Sequence, residues 1–260
     1  MRADDASARL TEAQRRAAGA GWKALMPIAG RPFLDYVLTS LADAGCGEAG
    51  VVIGAEQRDD FSPYERPPAG APSATRRVAV TLIEQREPLG TADAVRSAAT
   101  WVGAEPFLVV NGDNLYPVPA LRSLVALDGP GAALFELDSV VRDGNLAPAR
   151  AAAFALAELD LARNLARLME KPPVDRIEQR GGRQLVSMNA WRFDPDVLRA
   201  CQDVGRSERG EYELPAAVEL AIARGVKMRA VVACGPVLDL SRQIDVEAVT
   251  RRLAGVDPHP

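Results

Sequence analysis

The sequence predicts an α/β fold: a Rossmann-like, mixed and mainly parallel sheet flanked by helices, with added antiparallel strands. Two observations carry this expectation. In the first half, short apolar runs bounded by glycine or proline alternate with apolar residues at helical spacing, which is the rhythm of βαβ units. From Gly131 onward, strand-like runs succeed one another without long helices between them, as antiparallel strands do.

The elements follow in order. Met1 to Gly21 is rich in Ala, Arg and acids without a sustained apolar face, so a mobile or partly helical arm is expected and the fold proper starts near Trp22. Phe33, Tyr36, Val37, Leu38 and Leu41 have helical spacing and stop at Ala44-Gly45, a glycine where a helix C-cap belongs. The run 50–54, Gly-Val-Val-Ile-Gly, has the signature of a buried strand. Residues 59–76 carry four prolines and predict a surface loop, after which 77–83 predicts a second strand. A helix over 92–101 and a third strand over 106–111 complete the alternation. Downstream, strands are predicted over 131–137, 152–159, 165–169 and 185–193, helices over 195–204 and 211–224, a last strand over 227–234, and a helix over 245–253. There are no internal repeats.

Composition excludes several classes of function. The 260 residues, 48% hydrophobic, can bury the core of one large domain. A net charge of -4 with arginines scattered among acids leaves no basic stripe for a nucleic-acid backbone. Three cysteines, Cys46, Cys201 and Cys234, lie far apart without CxxC spacing, which argues against a disulfide framework or structural zinc and fits a reducing cytoplasm. The single histidine, His259, is next to last, so histidine-based catalysis and histidine metal sites are disfavoured. No apolar run approaches the roughly 18 residues that span a bilayer, and the start lacks a signal-peptide core, so no membrane partner is expected.

The most informative segment is Asn111-Gly112-Asp113-Asn114 at the end of the third predicted strand, because ligands of open α/β sheets bind beyond the carboxyl ends of strands. A carboxylate there suits Mg²⁺, although the same four residues are also turn formers. Residues 85–91, Gln-Arg-Glu-Pro-Leu-Gly-Thr, join a strand to a helix, with Gly90 and Thr91 near free backbone N–H groups and Gln85 offering an amide; the plainer reading is a turn with a Thr cap. Lys23 sits beside the apolar Trp22, where it could neutralise phosphate. Glu170-Lys171-Pro172 delivers a charged pair to the end of a strand, and Asp239 is a second strand-terminal acid that would suit a hard cation if it converges on Asp113.

Taken in order, these segments resemble the sugar-1-phosphate nucleotidyltransferases from Lys23 onward. Residues 23–36 resemble the family's "P-K-x-L-x-P-v-x-g-r-P-l-l-x-y" segment, with Trp22 in place of the usual proline. Residues 85–92 resemble "Q-x-x-p-l-G-T-A", 111–114 "n-G-D", 170–172 "E-K-P" and 210–214 "G-E-x-E-l". The resemblance implies a single domain over 22–255, with a nucleotide-binding half (22–130), a sugar-phosphate-binding half (131–255) and a tail (256–260). It implies transfer of a nucleotidyl group from a nucleoside triphosphate to a sugar 1-phosphate with release of pyrophosphate. Lys23, Asp113 and Lys171 would be catalytic; Gln85, Pro88, Gly90, Thr91 and Gly112 would bind the nucleotide. Gly144, Glu170, Lys171 and Asn189 would bind the sugar phosphate, and Asp113 with Asp239 would hold Mg²⁺. The family's usual glycine two residues past the second aspartate is Ser241 here. Family members are commonly dimers or tetramers, so a homo-oligomer is among the implied partners.

One family element is not found: the opening strand and loop of the form "x-A-x-x-L-A-a-G-x-G-T-R", whose backbone N–H groups cradle a triphosphate. Met1-Arg2 matches the residues that follow that loop, so the expectation is a natural chain about a dozen residues longer at its start. Without that segment the chain is expected to be poorly stable and nearly inactive. A catalytically silent binding or regulatory relative is therefore the alternative reading. A glycosyltransferase is a third, although its Asp-x-Asp is absent at Asn111 to Asp113.

Overall fold

A computed structural model describes residues 10–65, 77–151, 154–169 and 184–260. The first element is helix α1 (Glu12–Gly19), which Thr11 opens with a capping box: its hydroxyl accepts from the Gln14 N–H while the Gln14 side chain accepts from the Thr11 N–H. Ala17 and Ala18 are buried in the core, and the Gln14 amide donates to the Pro27 carbonyl at 2.8 Å. The described part of the expected arm is thus docked, and the packed structure starts at Thr11 rather than Trp22. An Ala–Ala contact face is too weakly apolar to stand out in a periodicity search.

The short strands β1 (Pro27–Ile28) and β2 (Arg31–Pro32) form a hairpin that leads into α2 (Phe33–Ala44), whose apolar residues are buried. Gly45 ends the helix at φ 102°, the left-handed C-cap that its position predicts. Strand β3 (Glu48–Gly54) pairs in parallel with β4 (Ala79–Gln85) over seven residues, and the short helix α3 (Arg58–Phe61) lies between them in sequence. The helix expected over 92–101 is two, α4 (Thr91–Ser97) and α5 (Ala99–Val102), because the turn tightens where the Ala98 N–H donates to the Val95 carbonyl. Then come β5 (Phe107–Val109), β6 (Asn114–Leu115), α6 (Val118–Val125), β7 (Gly131–Glu136), α7 (Leu137–Asp143) and α8 (Pro148–Ala151). Strands β8 (Leu156–Leu159), β9 (Leu165–Met169) and β10 (Leu185–Phe193), helices α9 (Pro195–Asp203) and α10 (Leu214–Ala223), strands β11 (Arg229–Ala233) and β12 (Leu238–Asp239), and helix α11 (Asp245–Arg252) complete the described elements.

The larger sheet has the order β11-β7-β10-β8-β9, with β5 also on β10. Among the described residues parallel pairing is confined to β3–β4 and β7–β11, whereas β10 runs antiparallel to β7, β8 and β5. The antiparallel strands are therefore not marginal additions: β10 crosses the middle of the sheet, and its apolar residues are buried on both faces. The other edges of β3 and β5 pair with no strand among the described residues, and Val51, Val52, Leu108 and Val109 are correspondingly only half-buried.

Two core layers sandwich the sheet, and strand alternation distributes residues between them. Ala133 and Phe135 of β7 face the layer that contains α2 and α6; Ala132 and Leu134 face the layer that contains α4, α9 and α10. Trp191 and Phe193 of β10 lie wholly inside the second layer. Each layer draws on residues from both 22–130 and 131–255. No helix among the described residues is long and apolar enough to cross a membrane.

The cysteines test this packing. Cys201 is buried in α9 and burial pushes its thiol up to about 12, Cys46 is partly buried with its thiol also raised by burial, and Cys234 is exposed. Titration with a thiol-specific chromogenic reagent is expected to label Cys234 in the native protein and all three cysteines only after denaturation. Native labelling of Cys201 would show that α9 is not packed as described.

Candidate active site

Because β5 and β7 are both antiparallel to β10, β5 runs parallel to β7 and β11, and the segments that follow these strands emerge at one end of the sheet. Asn111 to Asn114 leaves the carboxyl end of β5. It meets β12, which follows β11, through the antiparallel pairs Leu238–Leu115 and Asp239–Asn114, and the Leu240 N–H donates to the Asp113 carbonyl at 2.9 Å. Two carboxylates distant in sequence are thus delivered to neighbouring positions at the end where open α/β sheets bind ligands.

Lys23 joins them. Its Nζ lies 2.7 Å from Asp113 Oδ2, with the lysine side chain one-third exposed and the aspartate one-fifth. The lysine's segment is held by α2, since Phe33 N–H donates to the Met26 carbonyl and Leu34 N–H to the Ala24 carbonyl. Gly112 packs beside Ala24, but a Cβ there would meet it at an ordinary 3.8 Å, so crowding does not explain the glycine.

The two carboxylates differ in their capacity for a metal. Asp113 Oδ1 has no hydrogen-bond partner among the described residues, so this side chain fits as a ligand for a hard cation. Asp239 does not fit in the same way. Its Oδ1 accepts from Arg150 Nη2 at 2.6 Å and the Ser241 N–H at 3.1 Å, and its Oδ2 accepts from Ser241 Oγ at 2.9 Å and Asn114 Nδ2 at 3.3 Å. A carboxylate offers about four lone-pair directions, and here each oxygen already has two donors. The expectation that Asp239 is a metal ligand thus meets a carboxylate engaged by Arg150, whose guanidinium also pairs with Asp245. Among the described residues, no group of three or more His, Cys, Asp or Glu side chains is arranged to hold a metal.

Burial pushes the Asp239 carboxyl up, and the nearby Asp113 charge adds to this, while Ser241 and Arg150 pull it down without prevailing. Burial also opposes the charge on Arg150, but Asp245 and Asp239 together outweigh it and hold the guanidinium above its ordinary value. The two shifts agree physically: one cation is shared by two buried anions, so the arginine is well compensated and each aspartate only in part.

A buried hydroxyl links this corner to the sugar-phosphate candidates. Tyr116 stacks on Phe135, donates from its hydroxyl to the Met188 carbonyl at 2.6 Å and accepts from the Asn111 N–H at 3.3 Å. Met188 and Asn189 form a two-residue bulge between Ser187 and Ala190, with Asn189 at φ 58°. Burial raises the Tyr116 phenol well above its usual value, so it remains a neutral donor. No motif marks Tyr116, Arg150 or Asn145 in the sequence; each acts through a partner more than 70 positions away.

The loop before α4 is stitched to the segment before α10. Tyr212 N–H donates to the Leu89 carbonyl at 2.7 Å, Ala92 N–H to the Tyr212 carbonyl at 2.9 Å, and Leu214 N–H to Thr91 Oγ1 at 3.0 Å. Thr91 is thus not the N-cap of its own helix; Gly90 occupies that position, and the Thr91 hydroxyl serves α10 instead. Pro88 lies exposed in the irregular segment before this stitch. Gln85 Nε2 donates to the Gly90 carbonyl at 3.1 Å and Asp93 Oδ2 at 2.7 Å, which fixes the amide's orientation and leaves its oxygen available. Gly90 has φ 107° and ψ 178°, a region essentially confined to glycine, and a Cβ there would lie 2.5 Å from the Tyr212 carbonyl oxygen.

Gly144 caps α7, and a Cβ there would lie 2.4 Å from the Val140 oxygen and 2.7 Å from the Val237 oxygen. Packing alone accounts for this glycine, so no ligand role is needed to explain it. Glu170, Lys171 and Pro172 lie outside the described residues.

A family model described as Nucleotidyl transferase matches residues 20–236. The chain belongs to the nucleotidyl transferase family. Within that family it is 30% identical over 209 residues to the low-salt glycan biosynthesis nucleotidyltransferase Agl11 of Haloferax volcanii, covering 79% of this chain and 52% of Agl11. It is 30% identical over 231 residues to a glucose-1-phosphate thymidylyltransferase of Streptomyces antibioticus, covering 88% of this chain and 59% of that one. The chain therefore spans little more than half the length of those two relatives. Its fold matches a crystal structure of a UDP-glucose pyrophosphorylase complexed with UDP-glucose at a TM-score of 0.68 and 16% identity, over 88% of this chain and 89% of that chain.

Two substitutions probe the geometry. Gly90→Ala is expected to cost about 1–3 kcal/mol from backbone strain alone, measured as a fall in urea midpoint, and to loosen the contact between loop and α10. Tyr116→Phe is expected to destabilise by about 1–3 kcal/mol by leaving the Asn111 N–H and Met188 carbonyl short of a partner; an unchanged midpoint would show that the hydroxyl bonds are not formed.

Proposed function

We propose that this protein condenses a nucleoside triphosphate with a sugar 1-phosphate to give a nucleotide-sugar and pyrophosphate. The observation that carries the reading is the Lys23–Asp113 pair, which sets a phosphate-seeking ammonium and a cation-seeking carboxylate 2.7 Å apart beyond the end of β5. A phosphate oxygen of the sugar phosphate attacks the α-phosphorus, the new P–O bond forms, and the bond to the β-phosphate oxygen breaks so that pyrophosphate leaves with its electron pair. The nucleophile is already ionised at neutral pH, so no histidine base is required, and catalysis rests on positioning and charge.

In this reading Lys23 releases Asp113 to meet phosphate oxygens, and Asp113 holds Mg²⁺. When bound, Mg²⁺ supplies charge neutralisation of the triphosphate. Lys171 adds a second ammonium beside phosphate, and Glu170 and Asn189 meet sugar hydroxyls, while Gly112 lets a ligand approach the backbone beside Asp113. Pro88, Gly90 and Thr91 form the base loop. There the Gln85 oxygen accepts and the Gly90 N–H donates, a pair complementary to the N3–H and adjacent carbonyl of thymine or uracil. The name of the Streptomyces antibioticus relative, glucose-1-phosphate thymidylyltransferase, supports a pyrimidine nucleotide. Soluble substrates and free thiols suit a cytoplasmic protein. A homo-oligomer is part of the same proposal.

The direct test is pyrophosphate release with UTP, dTTP, GTP and ATP, each against glucose-, mannose- and N-acetylglucosamine-1-phosphate. Release with a pyrimidine triphosphate is expected; silence across the panel with triphosphate binding retained would instead point to a binding protein. Asp113→Asn is expected to lower kcat at least about 100-fold while leaving the melting temperature near that of the parent protein. Loss of folding in that variant would assign Asp113 a structural role.

A further inference from the structure

Asp239 is held by more of the molecule than a site ligand needs. Its backbone pairs with Asn114 on one edge, while on the other the Asn145 side chain completes the ladder: Asn145 Nδ2 donates to the Asp239 carbonyl at 2.8 Å and Asn145 Oδ1 accepts from the Asp239 N–H at 2.8 Å. The carboxylate is almost wholly buried and carries the four donors described above. Arg150, from α8, bridges it to Asp245, which in turn accepts from the Arg242 N–H at the start of α11. The guanidinium side chain is 20% exposed and the two aspartates 4% and 3%. Across the corner, Lys23 stands against Asp113. Each carboxylate of the pair thus already faces a cation, Asp113 that of Lys23 and Asp239 that of Arg150, which it shares with Asp245.

A dication bridging Asp113 and Asp239 would have to strip Asp239 of the arginine, the serine and the amide, and would leave Arg150 with Asp245 alone. Mg²⁺ is exacting about octahedral geometry and keeps its waters readily, so a single open carboxylate with water and phosphate oxygens meets its needs without that rearrangement. We propose that Arg150 is a positioning residue that withdraws Asp239 from cation binding, so that this protein holds its divalent metal through Asp113 as the sole aspartate ligand of the pair. The charge of Asp239 is then spent on Arg150, which it shares with Asp245, rather than on a cation at the site. The inference rests on the reading of Asp113 as the metal-holding carboxylate.

The test uses the full chain and Mn²⁺ as the probe, with free Mn²⁺ followed by electron paramagnetic resonance and folding checked by circular dichroism. Asp239→Asn is expected to bind Mn²⁺ with the affinity of the parent protein. Arg150→Gln frees Asp239 beside Asp113 and is expected to bind Mn²⁺ about tenfold more tightly, and Arg150→Gln combined with Asp239→Asn is expected to return to the parent value. A fall of about tenfold or more on Asp239→Asn, or a folded Arg150→Gln without a gain, overturns the role of Arg150. If Arg150→Gln does not fold, Asp239→Asn decides alone. Asp113→Asn is expected to abolish binding in every background; Mn²⁺ binding that survives it overturns the metal assignment to Asp113 itself, a different failure from that of Arg150. None of these readouts depends on turnover.

Discussion

Strand β10 is the constraint on which the rest of the molecule depends. It pairs with β7 along most of its length, with β8 near one end and with β5 near the other. Its inward residues, Trp191 and Phe193 on one side and Val186, Met188 and Ala190 on the other, supply both core layers. By fixing β5 antiparallel to itself, it determines the end of the sheet at which Asn111 to Asn114 emerges. The two-residue bulge in β10 keeps side-chain alternation intact on either side, since an even insertion does not exchange the faces. It also turns Asn189 into a left-handed conformation beside the Tyr116 hydroxyl.

The site is built by charges that are already paired before any ligand arrives. Lys23 with Asp113 is partly exposed, and in the proposed function it exchanges its partner for a phosphate or a cation at modest cost. Arg150 with Asp239 and Asp245 is buried, and breaking it would leave uncompensated charge in the interior, which is far more costly. The same chemistry in two environments thus gives one ion pair able to open and one that is structural. Exposure decides which aspartate is available.

The loop before α4 shows a related division. Gly90 and Thr91 look like ligand-facing residues of a strand-to-helix turn, yet three hydrogen bonds tie this loop to 212–214, and Thr91 spends its hydroxyl on Leu214. The loop's shape is a tertiary product of α4 and α10 together. Among the described residues the Gly90 N–H and the oxygen of Gln85 have no hydrogen-bond partner, whereas the Gln85 nitrogen is committed to Gly90 and Asp93.

Strands and helices wherever periodicity is strong, the Gly45 cap, the position of Asp113 beyond a strand end and the ordered segments of the family are legible in the amino-acid sequence alone. These are local properties: apolar spacing, φ-permissive glycines and short motifs are written within a few residues. Only the tertiary structure decided that α1 docks through two alanines, that β10 crosses the middle of the sheet, and that Thr91 caps a distant helix. It alone showed that Arg150, an arginine in an alanine-rich stretch with no motif around it, saturates Asp239. A residue's partners across 89 positions depend on how the sheet closes, and hydrogen-bond saturation depends on every donor within about 3 Å, which no local pattern encodes.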